Sequence, residues 1–454
     1  MNTDRKKYNV AKKENATKSV LSILGTNLFL TPVQLLLGIL IARYLGPELK
    51  GIQSFAGVIF SFGCSIFLLG FTASIRYYIS ISKYKAEEIL FTVLLLIFAF
   101  SAIFCGLIYN LWYFQHFGKT GNEFSDFQIM IVLIGGSVTI ANLLLMRFLV
   151  GMSCFIAKNK FTIIQTLSYI SIAFLAVFLD KGLDGVLAAF VLSKIVYAIL
   201  FLSFLFSKIK PQFRFNYSFI KDGIAYGIRA WLSEIIRVSN RRIDQFIIGL
   251  FIIPEMLGLY AIAVMLSEVC QKVPQSVMQV FFNKVAVGES KRQQQQLLYK
   301  IHKGVLYTTL AGAIIFVVLG YWLIIWVYGK DYEYSYTLLL AYLPGVLFYM
   351  STRIFLQYFS STGRPILNVY TQLSGLIVGA ICYIILLPLS GVLGVAVGSS
   401  IAFSITLVVA IYIFSKDVDK LKISKLFLFS TEEKQWYNAK GKEIIYLLKQ
   451  KIPF

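Results

Sequence analysis

Read from end to end, the chain alternates long apolar blocks with short polar gaps. Twelve blocks stand out, near 19–45, 49–75, 87–114, 128–156, 161–180, 184–207, 222–253, 256–283, 303–328, 334–361, 366–388 and 392–415. Each has about the 20 residues that an α-helix needs to cross a ~30 Å hydrocarbon core. No alternation of period two marks a barrel strand. A segment in lipid must also satisfy its backbone amides internally, so the pattern predicts an all-α polytopic membrane protein with about 12 transmembrane helices.

The pattern also repeats, at an offset of about 206 residues. Pro47-Glu48-Leu49-Lys50-Gly51 returns as Pro254-Glu255-Met256-Leu257-Gly258, and Gly185-Val186-Leu187 leading to Ser193 returns as Gly391-Val392-Leu393 leading to Ser399. Leu167-Ser168 answers Leu373-Ser374, and Arg147 answers Arg353. The predicted halves, 19–207 and 222–415, each cross six times, share one orientation and are related by a pseudo-twofold axis along the membrane normal. Around them lie a basic arm (1–18), a basic linker (208–221) and a basic tail (416–454). Within the tail, Lys442 to Lys449 puts apolar residues on one helical face between lysines, as in a helix lying on the cytoplasmic leaflet. A disordered basic tail is the alternative. The twin Pro-Glu-x-x-Gly corners read as structural, with proline ending one helix or opening the next and glycine allowing close packing.

Polar residues inside the blocks carry the functional signal. In the seventh, Ser233, Glu234, Arg237, Asn240, Arg241, Asp244 and Gln245 share one broad arc at 100° per residue, with Arg229 at its edge. A charge at mid-bilayer costs a few kcal/mol or more, so this stripe must face protein or water. One reading is a hydrated lumen whose arginines await an anion. The other is internal neutralisation, Glu234 with Arg237 and Arg241 with Asp244, each at i+3. The eighth block adds Glu268, Gln271, Lys272, Gln275 and Gln279 on one face around Pro274. Asn27, Thr31 and Gln34 form a milder stripe in the first, suited to hydrogen bonds between packed helices. Arg147 and Arg353 sit two to three turns from the cytoplasmic ends of equivalent blocks. The pseudo-twofold would face their guanidiniums into one cavity, where their forks suit phosphate oxygens. The alternative is snorkelling to headgroups. Lys194 is a third cation, but Ser400 occupies its repeat position.

Charge then decides topology. Of 43 Lys and Arg, thirty fall in the arm, the tail and the gaps on one side. Only Lys50, Lys119, Lys181 and Lys330 occupy the gaps on the other. The positive-inside rule puts both termini in the cytoplasm and makes the +21 net charge topological, which argues against a nucleic-acid partner. With five isolated cysteines and two histidines, His116 and His302, no zinc, haem or disulfide framework assembles, and no cofactor is expected. Gly118-Lys119-Thr120 lacks the glycine a phosphate loop needs, having Tyr113 there. Energy is therefore expected from a gradient or from another protein.

Several segments resemble a known family. Arg43-Tyr44-Leu45-Gly46-Pro47-Glu48-x-x-Gly51 is similar to the first loop of polysaccharide-biosynthesis exporters. So are Asp244 followed by Ile247-Ile248-Gly249 and Pro254-x-x-x-Gly258-x-Tyr260, then Tyr328-Gly329-Lys330-Asp331-Tyr332, and later Leu387-Pro388-Leu389-Ser390-Gly391. The likeness spans about 18–415 and points to the oligosaccharide-lipid flippases (Wzx-type), in the superfamily that also holds the multidrug and toxin extruders. It implies a two-lobed, V-shaped, alternating-access carrier of undecaprenyl-pyrophosphate-linked oligosaccharide in a bacterial inner membrane, working among membrane lipids and other polysaccharide-assembly proteins. On that reading Arg147, Arg353, Arg229, Arg237, Arg241 and Lys272 would bind pyrophosphate and glycan. Under a second reading, a cation-coupled drug exporter, Glu234, Asp244 and Glu268 would couple ions. A third, a membrane enzyme of polysaccharide assembly, lacks support: the longest external loop, around 114–127, holds no acid–base pair, and no catalytic residue is assigned.

Overall fold

A computed structural model describes residues 16–210, 212–285, 291–362, 364–416 and 424–427. The basic arm as far as residue 15 and the lysine-flanked stretch 442–449 lie outside the described residues, as do the side chains of Asn27, Thr31 and Gln279. The described chain is helical: α1 Ala16–Val58, α2 Cys64–Phe67, α3 Phe71–Ser80, α4 Ala86–Tyr113, α5 Gly118–Asn122, α6 Asp126–Gly151, α7 Phe155–Phe178 and α8 Gly182–Lys208 come first. Then follow α9 Tyr217–Phe251, α10 Pro254–Val285, α11 Lys291–Val327, α12 Tyr334–Ser361, α13 Ile366–Ser415 and the single turn α14 Ser424–Phe427.

Among the described residues eight stretches are long and apolar enough to cross a membrane, and the protein is a multi-pass membrane protein. Two of the eight are broken helices. Gly46 interrupts one at φ 71°, ψ 173°, a conformation open to glycine and strained for other residues. Gly391 interrupts α13 at φ 58°, ψ −138°. The arms of α13 pack back on each other, with the Tyr383 and Ser399 hydroxyls 2.9 Å apart and Gly375 lying against Ala402 and Thr406. The charged helices α9 and α10 are not among the eight. Counted together with both arms of each broken helix, they complete the twelve that the pattern predicts.

The chain packs as two compact units. The first runs to Ile262 and includes Trp322–Ser335; the second comprises Ala263–Tyr321 and the chain from Tyr336 on. In the first, Ser125 caps α6 by a reciprocal capping box with Gln128, and Gln165 donates to the repeated serine, Ser193, at 3.1 Å. In the second, Ser400 donates to the Ala341 carbonyl at 2.7 Å, fastening α13 to α12. The turn α14 docks on α11: His302 Nδ1 lies 3.1 Å from the Leu426 carbonyl, and Tyr307 donates to Phe427 O at 2.8 Å.

Three of the four family-like motifs converge in the first unit. The hydroxyl of Tyr44 donates to Asp180 at 2.8 Å, and Tyr332 donates to the Ala42 carbonyl at 2.7 Å. The two Pro-Glu-x-x-Gly corners touch each other. A Cβ on Gly51 would lie 1.8 Å from the Pro254 carbonyl oxygen, and one on Gly258 would lie 1.9 Å from that of Pro47. Each glycine is thus required by the opposite corner, a local twofold exchange that neither corner reveals alone.

Candidate substrate site

Helix α9 is positioned along its length against the second apolar segment. Gly70 and Gly227 meet backbone to backbone, the Trp231 indole donates to Ile66 O at 3.0 Å, and Gly249 lies on the Phe55 ring. This contact uses one side of α9, burying Phe219, Gly223, Gly227, Ile236, Ser239, Asp244, Gln245, Ile248 and Gly249. Arg229, Arg237 and Arg241 stay exposed. The stripe therefore splits, its cations outward and Asp244 and Gln245 inward.

Of the two expected pairs, Glu234–Arg237 is present: Arg237 Nε donates to Glu234 Oε2 at 2.9 Å, with a second bond from Nη2 to Oε1. Asp244, 3% exposed, is held otherwise. Its Oδ2 accepts from the buried Tyr260 hydroxyl at 2.7 Å and its Oδ1 from the Gln245 amide at 2.7 Å. Tyr260 stands in the motif with Asp244 and Gly258, so that motif spells an interhelical staple beside the crossed corners.

Arg147 in α6 gathers the charges. It interacts electrostatically with Glu234, Arg76 and Arg237, and Lys158 interacts with it in turn. Its Nε is buried and has no hydrogen-bond partner among the described residues. Four cations and one carboxylate thus share this part of the first unit, with a donor unspent. Sequence reasoning counted Arg76 and Lys158 only as cytoplasmic charge; their place at helix ends beside the Arg147 block was the available signal.

The remaining candidates belong to the second unit. The Arg353 guanidinium lies 6.0 Å from the Tyr349 ring centroid. Glu268 is half-buried and Lys272 exposed one turn on, while Gln275 donates to Gln271 at 3.4 Å.

This architecture defines a polytopic α-helical membrane fold. Three solved structures share it: lipid II flippase MurJ in an inward closed conformation (17% identity, 90% of this chain and 89% of that chain, TM-score 0.72), an inward-facing multidrug resistance MATE family transporter of the MOP superfamily (15%, 85% and 94%, 0.61), and a MOP superfamily transporter from Pyrococcus furiosus (15%, 89% and 96%, 0.54). The profile of the family described as "Polysaccharide biosynthesis protein" matches residues 40–337, and the chain belongs to that family. A search of curated proteins found no match.

Proposed function

We propose that this chain is a flippase, not an enzyme. It moves undecaprenyl-pyrophosphate-linked oligosaccharide repeat units from the cytoplasmic to the outer leaflet of a bacterial inner membrane. Transport is by alternating access through a cationic lumen, in service of O-antigen or capsule export. The observation that carries the reading is Arg147, four residues from the end of α6 where two to three turns were expected, with a buried, unspent Nε and electrostatic interactions with Arg76, Lys158, Arg237 and Glu234. An excess of cations in a membrane helix bundle is costly unless an anion completes it. Pyrophosphate fits the guanidinium forks, and membership of a polysaccharide biosynthesis family supports a glycan-bearing substrate. The same reading assigns substrate-binding roles to Arg229 and Arg241 in the first unit and, separately, to Lys272 and Arg353 in the second. The repeat places Arg353 as the counterpart of Arg147 in the second half, which 222–415 would form.

The test is mass spectrometry of undecaprenyl-linked sugars in cells lacking the gene, with leaflet sidedness probed in vesicles. A complete repeat unit accumulating on the cytoplasmic face is expected. Replacing Arg147 and Arg353 together with alanine should cut transport by about 100-fold or more, since hydrogen bonds to charged groups contribute about 1.5–3 kcal/mol each. Lysine at both should retain part of it. Full activity of the double-alanine protein at normal abundance would remove the phosphate clamp. The competing reading, a cation-coupled drug exporter, draws on Glu234, Asp244 and Glu268. It predicts an unchanged lipid pool and altered sensitivity to cationic drugs.

A further inference from the structure

The start of α9 is fastened to the first half by a network of polar side chains. Asn216 caps the helix, accepting from Phe219 N at 2.8 Å, while its amide donates to Glu88 Oε2 at 2.8 Å and its backbone N–H to Thr92 Oγ1 at 3.0 Å. Lys83 pairs with Asp222, and the Tyr84 hydroxyl donates to the same carboxylate at 2.5 Å. The Ser74 hydroxyl donates to Gly223 O at 2.6 Å. Tyr77 and Tyr226 stack across the seam, centroids 4.5 Å apart and 12° from parallel, both partly exposed. Arg214 lies 3.8 Å from Glu88.

These contacts join the end of the second apolar block, the gap after it and the start of the third block to the linker and the seventh block, at the end that the positive charge assigns to the cytoplasm. A carrier that alternates must part its repeats at one end at a time. The members of this network suit parting. The Lys83–Asp222 pair is 46% and 36% exposed, so water replaces each partner as it leaves. The tyrosines keep one face in contact with solvent. Beneath them Gly70 and Gly227 bring the helices close without interlocking side chains.

We propose that this network, Lys83, Tyr84 and Glu88 on one side with Asn216, Asp222 and Tyr226 on the other, is the cytoplasmic gate of the carrier, which opens to admit substrate. The proposal rests on the alternating-access reading above, and its test separates the two.

A protein carrying Tyr77→Cys and Tyr226→Cys is bridged by a short, reducible bis-thiol reagent and assayed for movement of lipid-linked oligosaccharide in vesicles. Transport should stop on bridging and return on reduction. Undiminished transport by the bridged protein overturns the gate. If even the unaltered protein moves no such lipid, the functional reading fails, and the gate is judged by opening alone. Ser74→Cys, in a background freed of native cysteines, then reports opening through its labelling by a membrane-impermeant maleimide from the cytoplasmic side. Asp222→Asn should raise that labelling rate roughly three- to tenfold, the scale of one lost charge-assisted contact. An unchanged rate overturns the gate.

Discussion

The two ends of α9 close onto the first half in opposite ways. At the corner end backbone meets backbone: Gly51 against the Pro254 carbonyl, Gly258 against that of Pro47, with the Asp244–Tyr260 bond buried beside them. At the other end, side chains meet: the partly exposed Lys83 with Asp222, Tyr84 with the same carboxylate, and Asn216 with the buried Glu88. A backbone contact tolerates no added atom, because a carbonyl cannot move without its helix. A solvated side-chain contact breaks without leaving any group unsatisfied. The same pair of segments thus has one end specified by shape and the other by reversible chemistry.

The largest effect should come from filling the crossed corner. Gly51→Ala with Gly258→Ala places methyl groups less than 2 Å from opposing carbonyl oxygens and should cost about 2–6 kcal/mol, with overpacking at about 1–3 per site. Folded yield by detergent size exclusion should collapse. Normal yield with lost transport would instead make the corner part of the mechanism. Tyr260→Phe comes next. It strips a buried carboxylate of one donor, at about 1–3 kcal/mol, and should lower the thermal midpoint without altering lipid specificity. Asp222→Asn should shift that midpoint less than either change, since its partner is exposed; an equal shift would erase the contrast between the ends.

The smallest effect is that of pH. The hydrogen bond to Asp222 raises the Lys83 ammonium above the ordinary 10.5, against an opposing desolvation and with a further bond from Tyr84. Because its folded pKa is raised, its contribution is fully present below the unfolded value of 10.5 and is lost as pH rises through the folded value. Tyr84 is likewise raised from 10.0, by desolvation first and then by the bond to Asp222. The thermal midpoint should therefore be indifferent to Lys83→Gln only at strongly alkaline pH. An unchanged midpoint on Lys83→Gln near neutrality would contradict the contact.

Much of the fold was legible beforehand. Block length and the need to satisfy backbone amides inside each segment predict the helices, and Gly46 and Gly391 fall at the breaks that split two of them. The Glu234–Arg237 pair was legible too, being local at i+3. The partner of Asp244 was not, although Tyr260 stood in the quoted motif. Spacing of 16 residues across a corner has no helical periodicity to betray it. Arg76 and Lys158 were counted as topology because each sits at the end of a block, and only packing brings their charge to Arg147.

The sequence by itself determined what is local: helices long and apolar enough to span, proline and glycine at corners, a duplicated plan and a polar face on α9. Those follow from backbone hydrogen bonding and from the free energy of placing each residue in lipid, which depend on composition and period. Only the tertiary structure decided which corner fits which, which buried donor satisfies Asp244, and which cations gather around Arg147. Such contacts form between residues tens to hundreds of positions apart, where shape complementarity and pairwise charge select the partner and no periodicity records the choice.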